Sequence, residues 1–228
     1  MRSNTNLQKP ITDKTRCRRC GDCCRKGGPA LHTADLPLIQ DGTIALTDIV
    51  TLRPGEWVYD QPKQAVAPLS EEMLKIKGRD GTWTCMYFSP EGNTCGMYST
   101  RPIECEVLFC EDIEPLKAMY EKDRLKRADL MPEGHPLLAL MAEHDEKCAP
   151  HAMEILAKAA RDGDHQAGED LKEMVVFDQE IRRLVPEKTG MSVDMNDFFF
   201  GRPLRILLAG MNIKTYEAGG TLRFGFNG

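Results

Sequence analysis

The sequence predicts an α+β fold: a small, irregular, cysteine-rich metal-binding half with short β-hairpins, followed by a mainly helical C-terminal half. Three observations lead there. Eight of the nine cysteines fall between Cys17 and Cys110. Glycines, prolines and turn residues interrupt the chain through that stretch. Beyond Cys110, apolar residues recur at steps of three and four, the period of an amphipathic helix. These divide the chain into a flexible N-terminus (1–16), a cysteine-cluster metal-binding domain (17–112) and a helical region packed on it (113–228).

Taken in order, the polar residues 1–16 predict a frayed end, and from Gly27 to about Pro68 prolines and glycines leave room for one short helix. Thr47 would cap it ahead of Asp48, Ile49 and Val50. Met73–Lys77 alternates, Arg79-Asp80-Gly81 turns, and Thr82–Phe88 is rich in strand formers, so this segment predicts a β-hairpin. A second turn at Glu91-Gly92-Asn93 brings Cys95 to the start of a strand or loop. Helices follow, marked by Ile113/Leu116/Tyr120, Leu137/Leu140/Met141 and Met153/Leu156/Ala160. The cleanest stripe is Leu171, Met174, Phe177, Ile181 and Leu184. Asp162-Gly163-Asp164 and Pro186 punctuate these helices. Phe198–Phe200 reads as a loop before a short buried helix or strand at Leu204–Leu208, and Thr221–Phe226 as a terminal strand.

Composition excludes several classes of function. At 41% hydrophobic residues the chain has the apolar content to fold. No uninterrupted apolar stretch approaches the ~18 residues of a membrane span. The formal charge of −5 argues against a general nucleic-acid binder. The N-terminus has no apolar core of a signal peptide, which predicts a cytoplasmic protein. Nine cysteines in 228 residues fall well below the roughly 8–10% of small disulfide scaffolds. In a reducing compartment such a cluster reads as metal ligands or redox groups.

The sharpest signal is Cys17-Arg18-Arg19-Cys20-Gly21-Asp22-Cys23-Cys24. A C-x-x-C loop turns back within the few ångströms that one metal centre demands, and Gly21 can take the positive φ such a turn needs. Cys23 and Cys24, if extended, would point to opposite sides. Cys85, Cys95, Cys105 and Cys110 complete a set of eight sulfurs, enough for two four-ligand sites or for one site with spare thiols. Arg16, Arg18, Arg19, Arg25 and Lys26 favour thiolates beside the first group. Glu106, Glu111, Asp112 and Glu114 make the neighbourhood of Cys110 a poor place for a second highly negative cluster. For Cys85, Cys95 and Cys105 the competing reading is buried small hydrophobes.

The first group, with Cys85-x-Tyr87-Phe88, Cys95-x-x-Tyr98 and Arg101-Pro102-x-x-Cys105, resembles the CxxCxxCC family of zinc- or iron-chelating domains over roughly residues 17–110. Glu106 stands where that family's pattern carries a basic residue. The resemblance implies a metal centre. Some relatives are labelled iron–sulfur oxidoreductases, and flagellin lysine N-methylases carry a similar domain.

The resulting expectation is an iron–sulfur cluster, 4Fe–4S, held by cysteines among Cys17, Cys20, Cys23, Cys24, Cys85, Cys95, Cys105 and Cys110, with a redox or radical-type role. The surplus of thiolates and the absence of histidine within the cysteine spacing favour it. The alternatives are a structural zinc module that mediates protein interaction and a lysine N-methylase-like enzyme. The last is implied only by the resemblance, since no Gly-rich turn after a strand offers an S-adenosylmethionine pocket. Partner and substrate are left open. Arg101 is a candidate hydrogen-bond donor to cluster sulfurs or to a bound anion, or else a capping or ion-pairing residue of a turn. His144, Cys148 and His151 share a helical face at i, i+4 and i+7, but Pro150 interrupts it, and Cys148 reads as structural.

Overall fold

A computed structural model describes residues 17–60 and 63–226; the frayed end expected over 1–16 lies outside the described residues. The N-terminal half holds α1 (Asp22–Lys26), α2 (Leu36–Gln40), β1 (Ile49–Leu52), β2 (Trp57–Asp60), β3 (Ala65–Pro68), β4 (Met73–Ile76), β5 (Phe88–Ser89), β6 (Thr94–Cys95) and α3 (Ile103–Val107). It is followed by α4 (Glu114–Met119), α5 (Pro136–Lys147), α6 (Pro150–Arg161), α7 (His165–Thr189), α8 (Asn196–Phe200), α9 (Leu204–Gly210), β7 (Ile213–Ala218) and β8 (Thr221–Phe226). The strands form antiparallel pairs β1–β4, β2–β3, β5–β6 and β7–β8. Short strand pairs in the first half and helices in the second make the fold α+β. No helix among the described residues is long and apolar enough to cross a membrane.

The central pair differs from the expected hairpin. β4 pairs not with Thr82–Phe88 but with β1, in the register Ile49↔Ile76 to Leu52↔Met73. The segment before α2 lines β4's other edge, with Leu31 N–H donating to Leu74 C=O and Ile76 N–H to Pro29 C=O. Alternation then sorts the side chains. Ile49, Leu74 and Ile76 enter the main core, while Leu52 and Met73 join a smaller cluster on the opposite face. The segment after Gly81 meets the chain just beyond β4 at a single antiparallel bridge, Gly78↔Cys85, with Arg79 N–H donating to Thr84 C=O and Met86 N–H to Lys77 C=O, while Cys85 N–H donates to the Cys24 carbonyl instead of extending the ladder. Thr47 lies in a 3₁₀ turn, Leu46–Asp48, that leads straight into β1. The expected helix there gives way because β-branched Ile49, Val50 and Thr51 suit the pleated strand.

Two corrections apply to the helical half. α7 runs through Pro186 to Thr189 and ends at Gly190, whose φ is 73°. Proline removes the N–H that would bond the Arg182 carbonyl one turn back, and the side-chain amide of Asn196 donates to that carbonyl instead, at 2.9 Å. Phe198–Phe200 is helix α8 rather than loop, with all three rings buried. A one-turn helix leaves its last carbonyls unpaired. Here Thr51, Arg127 and Arg182 side chains donate to those of Phe198, Phe199 and Phe200. The main core consequently draws on both halves, with Leu31, Ile76 and Phe88 packed with Met141, Ile181 and Phe200.

Candidate metal centre

The loop carrying Cys17 and Cys20 turns into α1 through two left-handed residues, Arg19 at φ 57° and Gly21 at φ 79°. Gly21 is required twice, since a Cβ there would also lie 2.4 Å from Cζ of Phe88. Cys23 and Cys24 are not extended but sit in α1, and their sulfurs are 4.0 Å apart. Hydrogen bonds and ion pairs hold the segments of the later cysteines to this turn or to the Ala30–Asp35 stretch that follows it. Cys85 N–H donates to Cys24 C=O at 2.7 Å. Arg25 Nη2 donates to Asn93 Oδ1 at 2.6 Å, fixing the β5–β6 turn beside Cys95, which pairs with Phe88. Cys105 lies in α3, which is anchored by Glu104 and Asp35. Glu104 accepts from Ala30 N–H at 2.7 Å and meets His32 Nε2 at 3.2 Å. Asp35 accepts from Ile103 N–H at 2.8 Å. Cys110 follows in a turn closed by the Phe109↔Asp112 bridge, next to Glu111, which pairs with Arg18.

The sulfurs of this region act on one another. Cys24 feels the charges of Cys105, Cys85 and Cys95, yet its pKa is lowered, chiefly because the Cys23 thiol donates to it. Cys23 is raised by the same hydrogen bond and by burial. Burial raises Cys85 and Cys105, and neighbouring thiolates add to the effect. Four thiols that oppose one another's ionisation are the surroundings a metal cation reverses, because a bound cation favours every thiolate at once. Cys85, Phe88 and Met97 form part of the main core, with Cys24 and Cys95 packed against it. One side of the cluster is therefore apolar and closed to water.

Positive charge surrounds the cluster. The Lys75 side chain leaves β4 toward Gly27; a Cβ on Gly27 would lie 3.7 Å from Nζ. Burial pulls its pKa down, while Glu104, Cys105 and Cys85 oppose the shift. Arg19 and Arg101 both stack on the Tyr98 ring, at 4.0 and 4.1 Å from its centroid. Nε of Arg101 is buried without a hydrogen-bond partner among the described residues. Sequence reasoning singled out Arg101 and had Tyr98 in the cysteine motif, but missed Lys75 and Glu104 as charged groups near Cys105. The alternation of β4, with a lysine between two fully buried residues, was the signal for Lys75.

The predicted face of His144, Cys148 and His151 is broken. α5 ends at Lys147, α6 begins at Pro150, and His151 is exposed. Asp178 of α7 takes its place: ligand atoms of His144, Cys148 and Asp178 lie within 4.8 Å of one another, all buried. This trio is a hydrogen-bonded core rather than a cation site. Asp178 already accepts from His144 Nε2 (2.9 Å), Arg182 Nε (2.8 Å) and Leu204 N–H (3.0 Å). Arg53 Nη1 lies 3.4 Å from His144 Nδ1 and donates to the Cys148 carbonyl. Two guanidiniums so close repel a metal ion. Cys148 is a buried thiol with its pKa raised to about 12 by burial, as its structural reading requires.

Residues 16–123 match the model of the CxxCxxCC family, described as "Putative zinc- or iron-chelating domain". No curated protein and no solved structure matches the chain. The cysteines from Cys17 to Cys110 thus all lie within the segment that is similar to a zinc- or iron-chelating domain.

Proposed function

We propose that this domain holds an iron–sulfur cluster and that the protein serves a redox role. The observation that carries this reading is the Arg101 Nε, buried without a partner on a segment that runs from Cys95 to Cys105. A buried unpartnered N–H is costly, and inorganic sulfide and thiolate sulfur are both acceptors for it. Lys75 lies within electrostatic range of Glu104, Cys105 and Cys85, and in its ammonium form it would offset the net negative charge of a thiolate-ligated cluster. When bound, such a cluster supplies a one-electron couple, whose potential is set by net charge, hydrogen bonds to sulfur and exposure. In this reading Arg101 would be the donor and Lys75 the charge, with the buried Cys85, Phe88 and Met97 as the dry wall.

The test is anaerobic purification followed by iron and acid-labile sulfide analysis, with electron paramagnetic resonance of the dithionite-reduced protein. Iron and sulfide in equal amounts and a signal that appears on reduction are expected. Colourless protein with stoichiometric zinc would overturn the reading in favour of a structural zinc module. Within the iron–sulfur reading, Arg101→Gln shifts the midpoint potential and leaves iron content unchanged.

A further inference from the structure

We infer that the outer face of the β2–β3 ribbon is a homodimer interface, on which a second copy of this chain packs face to face. The ribbon's register pairs Trp57 with Pro68 and Tyr59 with Val66. Residues two apart on a strand, and residues opposite one another across a pair, share a face, so these four lie together. All four are exposed, Trp57 at 51%, Tyr59 at 53% and Val66 at 61%. The other face is turned to the protein: Val58 packs against the small core of Leu52, Leu69 and Met73, and Asp60 is buried. An antiparallel pair with one packed face ordinarily presents polar side chains on the other. This ribbon presents apolar side chains on both.

The patch continues past the ribbon. Arg202 Nη2 donates to the Trp57 carbonyl at 3.4 Å, and the same guanidinium lies 6.0 Å from the ring centroid of Trp83, which is 58% exposed. Half of an aromatic side chain's area is about 100 Å². With Val66 and Pro68 the patch then amounts to roughly 400 Å², a size at which exposed apolar surface marks a contact site. A stable interface takes about 800 Å² from each partner, about 57% of it apolar. The patch therefore supplies nearly all the apolar area that one side of a stable dimer needs.

Charge selects the partner. Lys63 is paired with Asp60 at 2.8 Å, Lys158 with Glu154, and Arg202 Nε with Glu56 at 2.7 Å. The indole N–H of Trp57 is satisfied too, donating to Glu154 at 2.8 Å. A rim of one sign would favour an oppositely charged partner and repel its own copy. A rim of closed ion pairs does neither, and the neutral centre at Tyr59 and Val66 is what a two-fold axis requires, because a residue near the axis meets itself. Edge chemistry selects the geometry. Pro68 has no N–H and the Trp57 carbonyl is taken by Arg202, so this end of the ribbon is a poor edge for a further strand. The second copy meets the flat face.

The experiment is sedimentation velocity of the full-length protein at rising concentration, with reductant present so that no disulfide links two chains, and tryptophan fluorescence of the same samples. Trp57 and Trp83 are the chain's two tryptophans, so fluorescence reads this patch directly. A concentration-dependent dimer is expected, its formation shifting emission to the blue and reducing acrylamide quenching. Tyr59→Glu and Val66→Glu each place like charges near the axis and are expected to weaken the dimer about tenfold or more. Both side chains are exposed, so circular dichroism and melting temperature of the monomer should match the wild type. Monomer at every concentration up to about 1 mM overturns the inference and leaves the face to a different protein. A dimer that both variants leave intact, or that forms with no change in tryptophan quenching, overturns it as well, since association then uses another surface.

Discussion

Asp178 sits 1% exposed in the middle of α7 and accepts three hydrogen bonds, from His144, Arg182 and the first N–H of α9. Removing one partner of a buried charge pair leaves the other uncompensated, at a cost of about 3–5 kcal/mol. Asp178→Ala is therefore expected to lower stability by that amount in denaturant unfolding, with metal content unchanged; metal loss instead would restore the His144 cluster as a cation site. Burial alone would raise the Asp178 pKa, but His144, Arg182 and the Leu204 N–H together hold it below the ordinary 3.8. A carboxylate depressed in the folded state contributes stability above its unfolded pKa. That contribution is lost as pH falls from about 3.8 through the lower folded value. Melting temperature should drop across that acid window in the wild type and more shallowly in Asp178→Asn. This aspartate was hidden from the sequence reading, which sought apolar residues and traced Met174, Phe177 and Leu184. Leu171 and Ile181 of the traced stripe are buried, but the face runs on through Val175, Asp178 and Val185 rather than Met174, Phe177 and Leu184.

Among the elements, local pattern located helices well and strand partners poorly. The stretches around Leu137, Met153 and Leu171 became α5, α6 and α7, because an amphipathic period needs only neighbours in sequence. Asp164, ahead of α7, caps it by accepting from the N–H groups of Gln166 and Ala167. The β1–β4 pairing joins residues some two dozen positions apart, and nothing local to Met73–Ile76 names Ile49–Leu52 as its partner. Likewise Pro186 stops a helix only if its freed carbonyl goes unpaired, and Asn196, from the following α8, pairs it. Asn196→Ala leaves the Arg182 carbonyl without that donor, a loss worth about 1–3 kcal/mol. The low end is expected, because Asn196 Oδ1 is itself buried and unpartnered. Hydrogen exchange should quicken at the amides from Glu187 to Thr189 while α5 and α6 keep their protection; unchanged exchange there would show that Asn196 does not hold the end of the helix.

Across the whole molecule, one core links the cysteine-bearing half to the helices. Cys85 and Phe88 pack in the cluster that also contains Met141, Ile181 and Phe198–Phe200. Metal binding free energy contributes to folding wherever the ligands are ordered only in the folded state. Stripping metal with a chelator under reducing conditions is therefore expected to lower the melting temperature in a single transition that includes the C-terminal helices. Two transitions, the upper one unmoved, would show that the halves fold independently.

The sequence by itself determined the class of the fold, the helical second half, the turn at Gly21 and the likeness of the first half to a metal-chelating domain, because each is written in local spacing and residue type. Only the tertiary structure decided which strand pairs with β4, that Lys75 lies near Cys85 and Cys105, that Arg19 and Arg101 stack on Tyr98, and that Asp178 rather than His151 meets His144. Those outcomes depend on side chains brought together from distant positions by burial and hydrogen bonding, and spacing along the chain carries no record of such encounters.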